Sequence, residues 1–257
     1  MPRFAANLSL MFTEVPFLER FEAAARAGFT AVEYLFPYAY PIPELAARLA
    51  ACGLEQVLFN GPPGDFIHAG ERGLAALPER ESEFLEGLSL ALEYANALRC
   101  PQLHIMAGLT HQGAKRATFV RNMQRAARLA ATCNVQLLIE PINTRDIPGY
   151  LINRTSEALA LIALIGETNV RLQFDIYHRQ IMEGDLLAAI DEFGAYAAHV
   201  QIAQPPDRGE PDDGEIDYRR VFSALDTVGY TGWIGCEYKP RGDTVAGLSW
   251  LTTLLGP

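Results

Sequence analysis

Glu140 ends the apolar run Gln136-Leu-Leu-Ile-Glu-Pro-Ile-Asn143 and is followed at once by a proline. A short apolar run with turn residues behind it reads as a fully buried strand. An unpaired carboxylate at the tip of such a strand is costly, and Pro141 cannot continue the hydrogen-bonded ladder. The pattern returns in Arg171-Leu-Gln-Phe-Asp175, Ala198-His-Val-Gln-Ile202 and Trp233-Ile-Gly-Cys-Glu237, which supply Asp175, Gln201 and Glu237. Four oxygen donors without a cysteine or an obligatory histidine suit a hard divalent cation, Mg2+ or Mn2+, better than zinc. Glu140 and Glu237 end non-adjacent strands and can flank a substrate, one removing a carbon-bound proton and the other returning it. An anionic substrate beside so many carboxylates needs its own counter-charge. Arg208 and Lys239 each follow a strand end within a few residues, and His178 follows Asp175 by three. The plainer alternative is that these carboxylates cap helices or pair with arginines. Glu33 ends the second strand with the same inward potential but ranks below the four, and His104 and His199 read as hydrogen-bonded interior histidines.

The elements that must hold these residues alternate between strand and helix eight times. Strands are expected at Phe4–Leu10, Ala31–Leu35, Glu55–Phe59, Gln102–Met106, Gln136–Ile139, Val170–Phe174, Ala197–Ile202 and Gly232–Cys236. Helical periodicity fills the gaps at Phe17–Ala27, Pro43–Ala51, Arg80–Leu98, Ala114–Thr132, Ser156–Ile165, Leu186–Glu192, Tyr218–Val228 and Val245–Leu254, with Thr155 and Asp217 as N-caps. Such alternation argues for a parallel sheet, and eight units in roughly 250 residues fit an α/β single-domain (β/α)8 barrel spanning residues 1–257. Connections from helix to strand are short and hold Gly28, Gly53, Gly166 or Gly229. Those from strand to helix are long: Asn60–Leu77, Pro141–Arg154 and Ala203–Ile216. Barrel active sites lie on the face built by the latter, where all four donors fall. An open doubly wound sheet would want a glycine-rich phosphate turn after an early strand, and Asn60-Gly-Pro-Pro-Gly64 lacks that spacing.

Inward positions follow from strand alternation. If Glu140 faces the barrel axis, Leu137 and Ile139 face the helices, and Gln173 with Asp175, His199 with Gln201, and Gly235 with Glu237 face inward. Phe36, Phe66 and Trp250 are candidates for apolar walls. A formal charge of −10 argues against a nucleic-acid surface, which would need a basic face. The four cysteines are far apart and show no metal or redox spacing, which reads as reduced thiols in a cytoplasmic protein. No leader and no run long enough to cross a bilayer is read in the chain. Whether copies associate is not legible.

The strings Ile139-Glu-Pro-Ile-Asn143, Phe174-Asp-Ile-Tyr-His178, His199-Val-Gln-Ile-Ala203, Arg208-Gly-Glu-Pro211, Asp213-Gly-Glu-Ile216 and Gly235-Cys-Glu-Tyr-Lys-Pro240 resemble the hydroxypyruvate isomerase family of xylose-isomerase-like barrels. The resemblance runs over essentially the whole chain. It implies a TIM barrel, one divalent metal, and Glu140 and Glu237 as an acid/base pair. The expected reaction interconverts hydroxypyruvate and tartronate semialdehyde through an enediolate, with Glu140, Asp175, Gln201 and Glu237 on the metal. Arg208, helped by His178 and Lys239, would hold the carboxylate of this small 2-oxo acid. The string Gln102-Leu-His-Ile-Met-Ala-Gly108 looks more like the sister 2-oxo-tetronate isomerases. A ketose 3-epimerase of the same barrel group is the further alternative.

Overall fold

In the computed structural model, which describes residues 2–255, eight parallel strands close into one barrel in chain order. They are β1 (Arg3–Asn7), β2 (Ala31–Tyr34), β3 (Glu55–Asn60), β4 (Gln102–His104), β5 (Gln136–Ile139), β6 (Val170–Asp175), β7 (Ala197–Ile202) and β8 (Trp233–Cys236). The expected barrel is therefore the observed one. Strand boundaries shift by a few residues: β1 stops at Asn7, where the backbone turns so that Leu10 N–H donates to the Asn7 carbonyl, and β4 keeps only three residues.

Outside the barrel lie α1 (Arg20–Arg26), α2 (Ile42–Cys52), α3 (Glu81–Leu98), α4 (Arg116–Ala131), α5 (Thr155–Ile165), α6 (Ile176–Met182), α7 (Leu186–Phe193), α8 (Tyr218–Thr227), α9 (Thr244–Gly247) and α10 (Ser249–Leu255). Their inner faces follow the helical period. In α4, Phe119, Met123, Ala126, Ala127 and Ala130 are buried, and in α8 Tyr218, Val221, Phe222 and Leu225 are. Gly53 and Gly166 close α2 and α5 in the left-handed conformation, which only glycine adopts at little cost. Asp217 caps α8 as expected, its carboxylate accepting from Arg220 N–H. Thr155 does not cap α5. It is the first helical residue, and its N–H donates to Glu183 Oε1, so a carboxylate just past the end of α6 does the work assigned to the threonine. No helix among the described residues is long and apolar enough to cross a membrane.

The barrel interior is layered. Ala5, Ala31, Val57, Leu58 and Leu138 form a small apolar cluster packed by Ala198 and Trp233, whereas Leu137 and Ile139 join the large cluster under the helices. Above the small cluster the inward side chains are polar and buried: Asn7, Glu33, His104, Glu140, Gln173, Asp175, His199, Gln201 and Glu237. Register holds the layer together, with Asn7 opposite Glu33, Gln173 opposite His199, Asp175 opposite Gln201, and Gln201 opposite Gly235. Gly235 has a steric reason to lack a side chain, because a Cβ there would lie 2.2 Å from Glu33 Oε2. Gly235→Ala is expected to lower the melting temperature by roughly 4–10 °C, from about 2–3 kcal/mol of overpacking in a filled interior. An unchanged melting curve would show that Glu33 moves aside freely and that the polar layer is not close-packed.

Candidate active site

Three strand ends and one loop build the site. Glu140 follows β5, Asp175 closes β6 and Glu237 follows β8; all three are buried. Asp175 does two jobs. Its Oδ1 accepts from the N–H groups of Tyr177 and His178, capping α6, while Oδ2 lies 3.7 Å from His178 Nε2 and 3.6 Å from Arg208 Nη2. The capping alternative is thus half right for Asp175, and the other oxygen is left for the site. Ligand atoms of Glu140, Asp175 and His178 all lie within 4.8 Å of one another. Glu140 Oε1 is buried without a hydrogen-bond partner, and Oε2 lies 3.4 Å from His104 Nδ1.

Arg208 stands on the long loop after β7, in a left-handed backbone conformation (φ 57°) that costs a non-glycine residue about 1–3 kcal/mol. Its carbonyl accepts from Lys239 N–H at 2.7 Å, and Gln204 and Gly209 pair backbone to backbone around it. The guanidinium reaches Glu237 Oε2 at 2.6 Å and Asp146 Oδ2 at 3.7 Å, and lies 5.1 Å from the centre of the Tyr177 ring. Tyr177 OH donates to Asp146 Oδ1. Asp175 and Glu237 therefore flank one guanidinium nitrogen.

Glu140, Asp175, His178, Arg208 and Glu237 come together, Gln201 stands beside Asp175 in the sheet register, and Lys239 does not join them. Lys239 is exposed and contributes its backbone to the Arg208 turn; β8 has already ended, so strand alternation no longer aims the side chain, and an ammonium in water has nothing to gain inside. Gln201 is held on both sides, donating to Glu33 Oε1 at 2.9 Å and accepting from Gln173 at 2.6 Å. Glu33 also accepts from Asn7 and meets His199 Nε2 at 2.6 Å, a centrality that its ranking below the four missed. Asn143 and Asp146, next to the ligand strings, were missed altogether. Phe36 and Phe66 pack edge to face, whereas Trp250 donates to Tyr238 and packs on Phe4, away from the site.

Burial dominates the titration of the group. It pushes Glu140 well above the usual carboxylate range, helped by the charges of Glu237 and Asp175. Glu237 is pushed up to about 8, with Arg208 pulling the other way. Asp175 is raised by burial against Arg208 and its capping amides. His178 is held well below its ordinary value by burial and Arg208, and His104 falls to about 3 through burial and His178, so both rings are neutral near pH 7. Arg208 loses by burial but gains more from Glu237, Asp175, Glu140 and Asp146, and stays charged. Three carboxylates against one guanidinium leave two negative charges when ionised. One divalent cation supplies that balance, and the unpartnered Glu140 oxygen with hard donors around it fits such an ion.

The sequence model of the xylose isomerase-like TIM barrel family matches residues 21–254. The chain belongs to this family. Within the xylose isomerase-like barrels it is 53% identical over 260 residues to the 2-oxo-tetronate isomerase of Cupriavidus necator, covering all of both chains. It is 46% identical over 255 residues to the hydroxypyruvate isomerase of Escherichia coli, covering 98% of each. A Brucella melitensis crystal structure described as an AP endonuclease of family 2 superposes with a TM-score of 0.95 at 51% identity, over 98% of this chain and 99% of that one. The D-psicose 3-epimerase of Clostridium cellulolyticum, at 21% identity and a TM-score of 0.78 over 95% and 88% of the chains, shares the fold. With curated isomerases matched along its full length, this barrel is an isomerase.

Metal binding by these carboxyls would carry a pH signature. Glu237 has a folded pKa of about 8 against 4.5 for the free side chain. In the metal-free protein its contribution to stability is complete below 4.5 and is lost as pH rises through 8. A cation must displace that proton, so binding strengthens with pH. Adding Mg2+ or Mn2+ to chelated protein is expected to raise the melting temperature, and by more at pH 8 than at pH 6. Equal shifts at the two pH values would show that these carboxyls hold no proton to displace.

Proposed function

We propose that this isomerase moves the carbonyl group between C2 and C3 of a short 2-oxo-3-hydroxy carboxylic acid. The single observation behind this reading is the convergence of the buried Glu140 and Glu237, which follow β5 and β8, around the guanidinium of Arg208. Glu140, Asp175 and Glu237 would hold one Mg2+ or Mn2+. Gln201 is the fourth donor: its amide nitrogen is committed to Glu33, which leaves Oε1, already accepting from Gln173, with a second lone pair. When bound, the cation acts as a Lewis acid toward the neighbouring carbonyl and hydroxyl oxygens of the substrate.

The residues of the chain do the rest. Arg208, released from Glu237 once that carboxylate has another partner, pairs with the substrate carboxylate in a two-bond fork. One of the two glutamates takes the proton from C3, and the electron pair moves to C2–C3 as the C2 carbonyl becomes an enediol oxygen. The other glutamate delivers a proton to C2 while the C3 hydroxyl passes its own proton to the C2 oxygen and becomes the carbonyl. Burial raises the titration of both carboxyls above the usual carboxylate range, which makes each a stronger base than an exposed glutamate.

Two substrates share this chemistry. Hydroxypyruvate has hydrogen at C3 where 2-oxo-tetronate has a hydroxymethyl group. The Cupriavidus relative at 53% identity is a 2-oxo-tetronate isomerase and the Escherichia relative at 46% is a hydroxypyruvate isomerase. Together with the Gln102–Gly108 string, this favours the four-carbon acid, with hydroxypyruvate second, the reverse of the order expected from sequence alone. Strand cleavage at an abasic site is disfavoured by the net charge of −10.

Proton NMR in D2O with added Mg2+ tests the reading on both acids. Wild-type protein should exchange the C3 hydrogen of 2-oxo-tetronate and form the 3-oxo product, and turn hydroxypyruvate over less efficiently. Glu140→Gln and Glu237→Gln keep an oxygen but lose the base, and each should lower turnover by about two to four orders of magnitude. Near-normal turnover in either variant would remove that glutamate from the proton path, and no exchange with either acid would sink the substrate class.

A further inference from the structure

His178 sits where two roles compete. Its Nε2 shares a cluster with Glu140 Oε1 and Asp175 Oδ2, 3.7 Å from each. A bare Nε2 there would be a metal ligand; a protonated one would be a hydrogen-bond donor. The choice is written on the other side of the ring. Asn143, fully buried on the loop after β5, places its amide 2.6 Å from His178 Nδ1. The two ends of an amide are told apart by their partners, and here one partner is decisive. The other amide atom accepts from the N–H of Asp146 at 2.7 Å. A backbone N–H can only donate, so that atom is the oxygen, and the atom facing His178 is the NH2 group. An NH2 group has no lone pair to offer, so Nδ1 must accept. The ring proton is then on Nε2. An imidazolium is excluded on the same ground, since it would set two donors against each other.

We infer that Asn143 is a positioning residue that fixes His178 as its Nε2–H tautomer and thereby keeps this imidazole off the metal. Nε2–H points into the gap between Glu140 and Asp175, at distances too long for hydrogen bonds to either. The ring is held by burial and by the Asn143 bond at Nδ1, on a backbone that Asp175 Oδ1 fixes in the first turn of α6. An oxygen in that gap receives a neutral N–H donor. On the reading above, this is the C2 or C3 oxygen of the substrate, whose developing charge the donor stabilises. The turn that aims Asn143 also carries Asp146, the residue that meets Arg208 and Tyr177. One short loop segment thus sets the tautomer of the donor and touches the anion-binding arginine.

The test is a long-range 1H–15N correlation spectrum of the full chain labelled with 15N, with the ring of His178 assigned through His178→Gln. Wild-type protein should show a bare Nδ1 and a protonated Nε2, unchanged on saturation with Mg2+. Asn143→Asp presents a carboxylate acceptor to Nδ1 and should draw the proton there. Turnover of the accepted acid should then fall by about two orders of magnitude, with a smaller change in KM. A wild-type ring protonated on Nδ1, or an Nε2 resonance that moves to a coordinated position when the metal is added, overturns the inference. The wild-type spectrum decides this even if Asn143→Asp does not fold. Because the spectrum needs no substrate, a correct tautomer with neither acid isomerised sinks the functional reading and leaves the tautomer standing. Turnover with a protonated Nδ1 does the opposite.

Discussion

Everything at the barrel mouth follows from burying Glu140, Asp175 and Glu237 together with too little positive charge. In water such carboxylates would separate; here the strands that end in them do not allow it. Lost hydration raises all three titrations, and repulsion from neighbouring carboxylates adds to it at Glu140 and Glu237. Arg208 answers part of the deficit by standing between Asp175 and Glu237, and its left-handed backbone is tolerated because that ion pair and the surrounding turn hold it. The rest of the deficit is the charge that the proposed cation would balance. On that proposal the same imbalance connects metal affinity, proton transfer and anion recognition.

A second polar tier supports the first. Glu33 crosses the barrel above the apolar floor and accepts from Asn7 and Gln201 while meeting His199. A buried carboxylate with so many partners is costly to disturb, so it fixes which way the Gln201 amide faces. Gly235 leaves the space that this side chain fills. The tautomer of His178 is set by the same logic one layer higher, where Asp146 N–H orients Asn143 and Asn143 orients the ring. In both cases one unambiguous donor or acceptor at the end of a chain of hydrogen bonds decides the state of a group at the reacting centre.

The fold and the three carboxylates were legible because each is a local signal. Alternation of periods, glycine at helix ends and the asymmetry of loop lengths specify a barrel, and a carboxylate at the end of an apolar run marks the site. What escaped depended on partners distant in the chain. Glu33 carried the same strand-end signal as Glu140, but its importance lies in His199 and Gln201, more than 160 residues away. Asn143 meets a ring 35 residues further on. Helix α6 was not among the helices expected, since its seven residues are too few to show a helical period, and its cap, Asp175, serves the site as well. Lys239 was drawn in by nearness in sequence, which says nothing of direction once a strand has ended. The first substrate expected came from strings that surround the site, whereas the relative at 53% identity carries the name of the four-carbon acid.

Anomalous diffraction from crystals grown with Mn2+ tests the central claim, that a divalent cation takes over from Arg208 as counter-charge to the buried carboxylates. The account predicts one peak bonded to oxygens of Glu140, Asp175 and Glu237, with the Arg208 guanidinium moved off Glu237 and no bond from the metal to His178. A peak elsewhere, or Mn2+-saturated crystals in which Arg208 still pairs with Glu237 and the three carboxylates hold no metal, would contradict it.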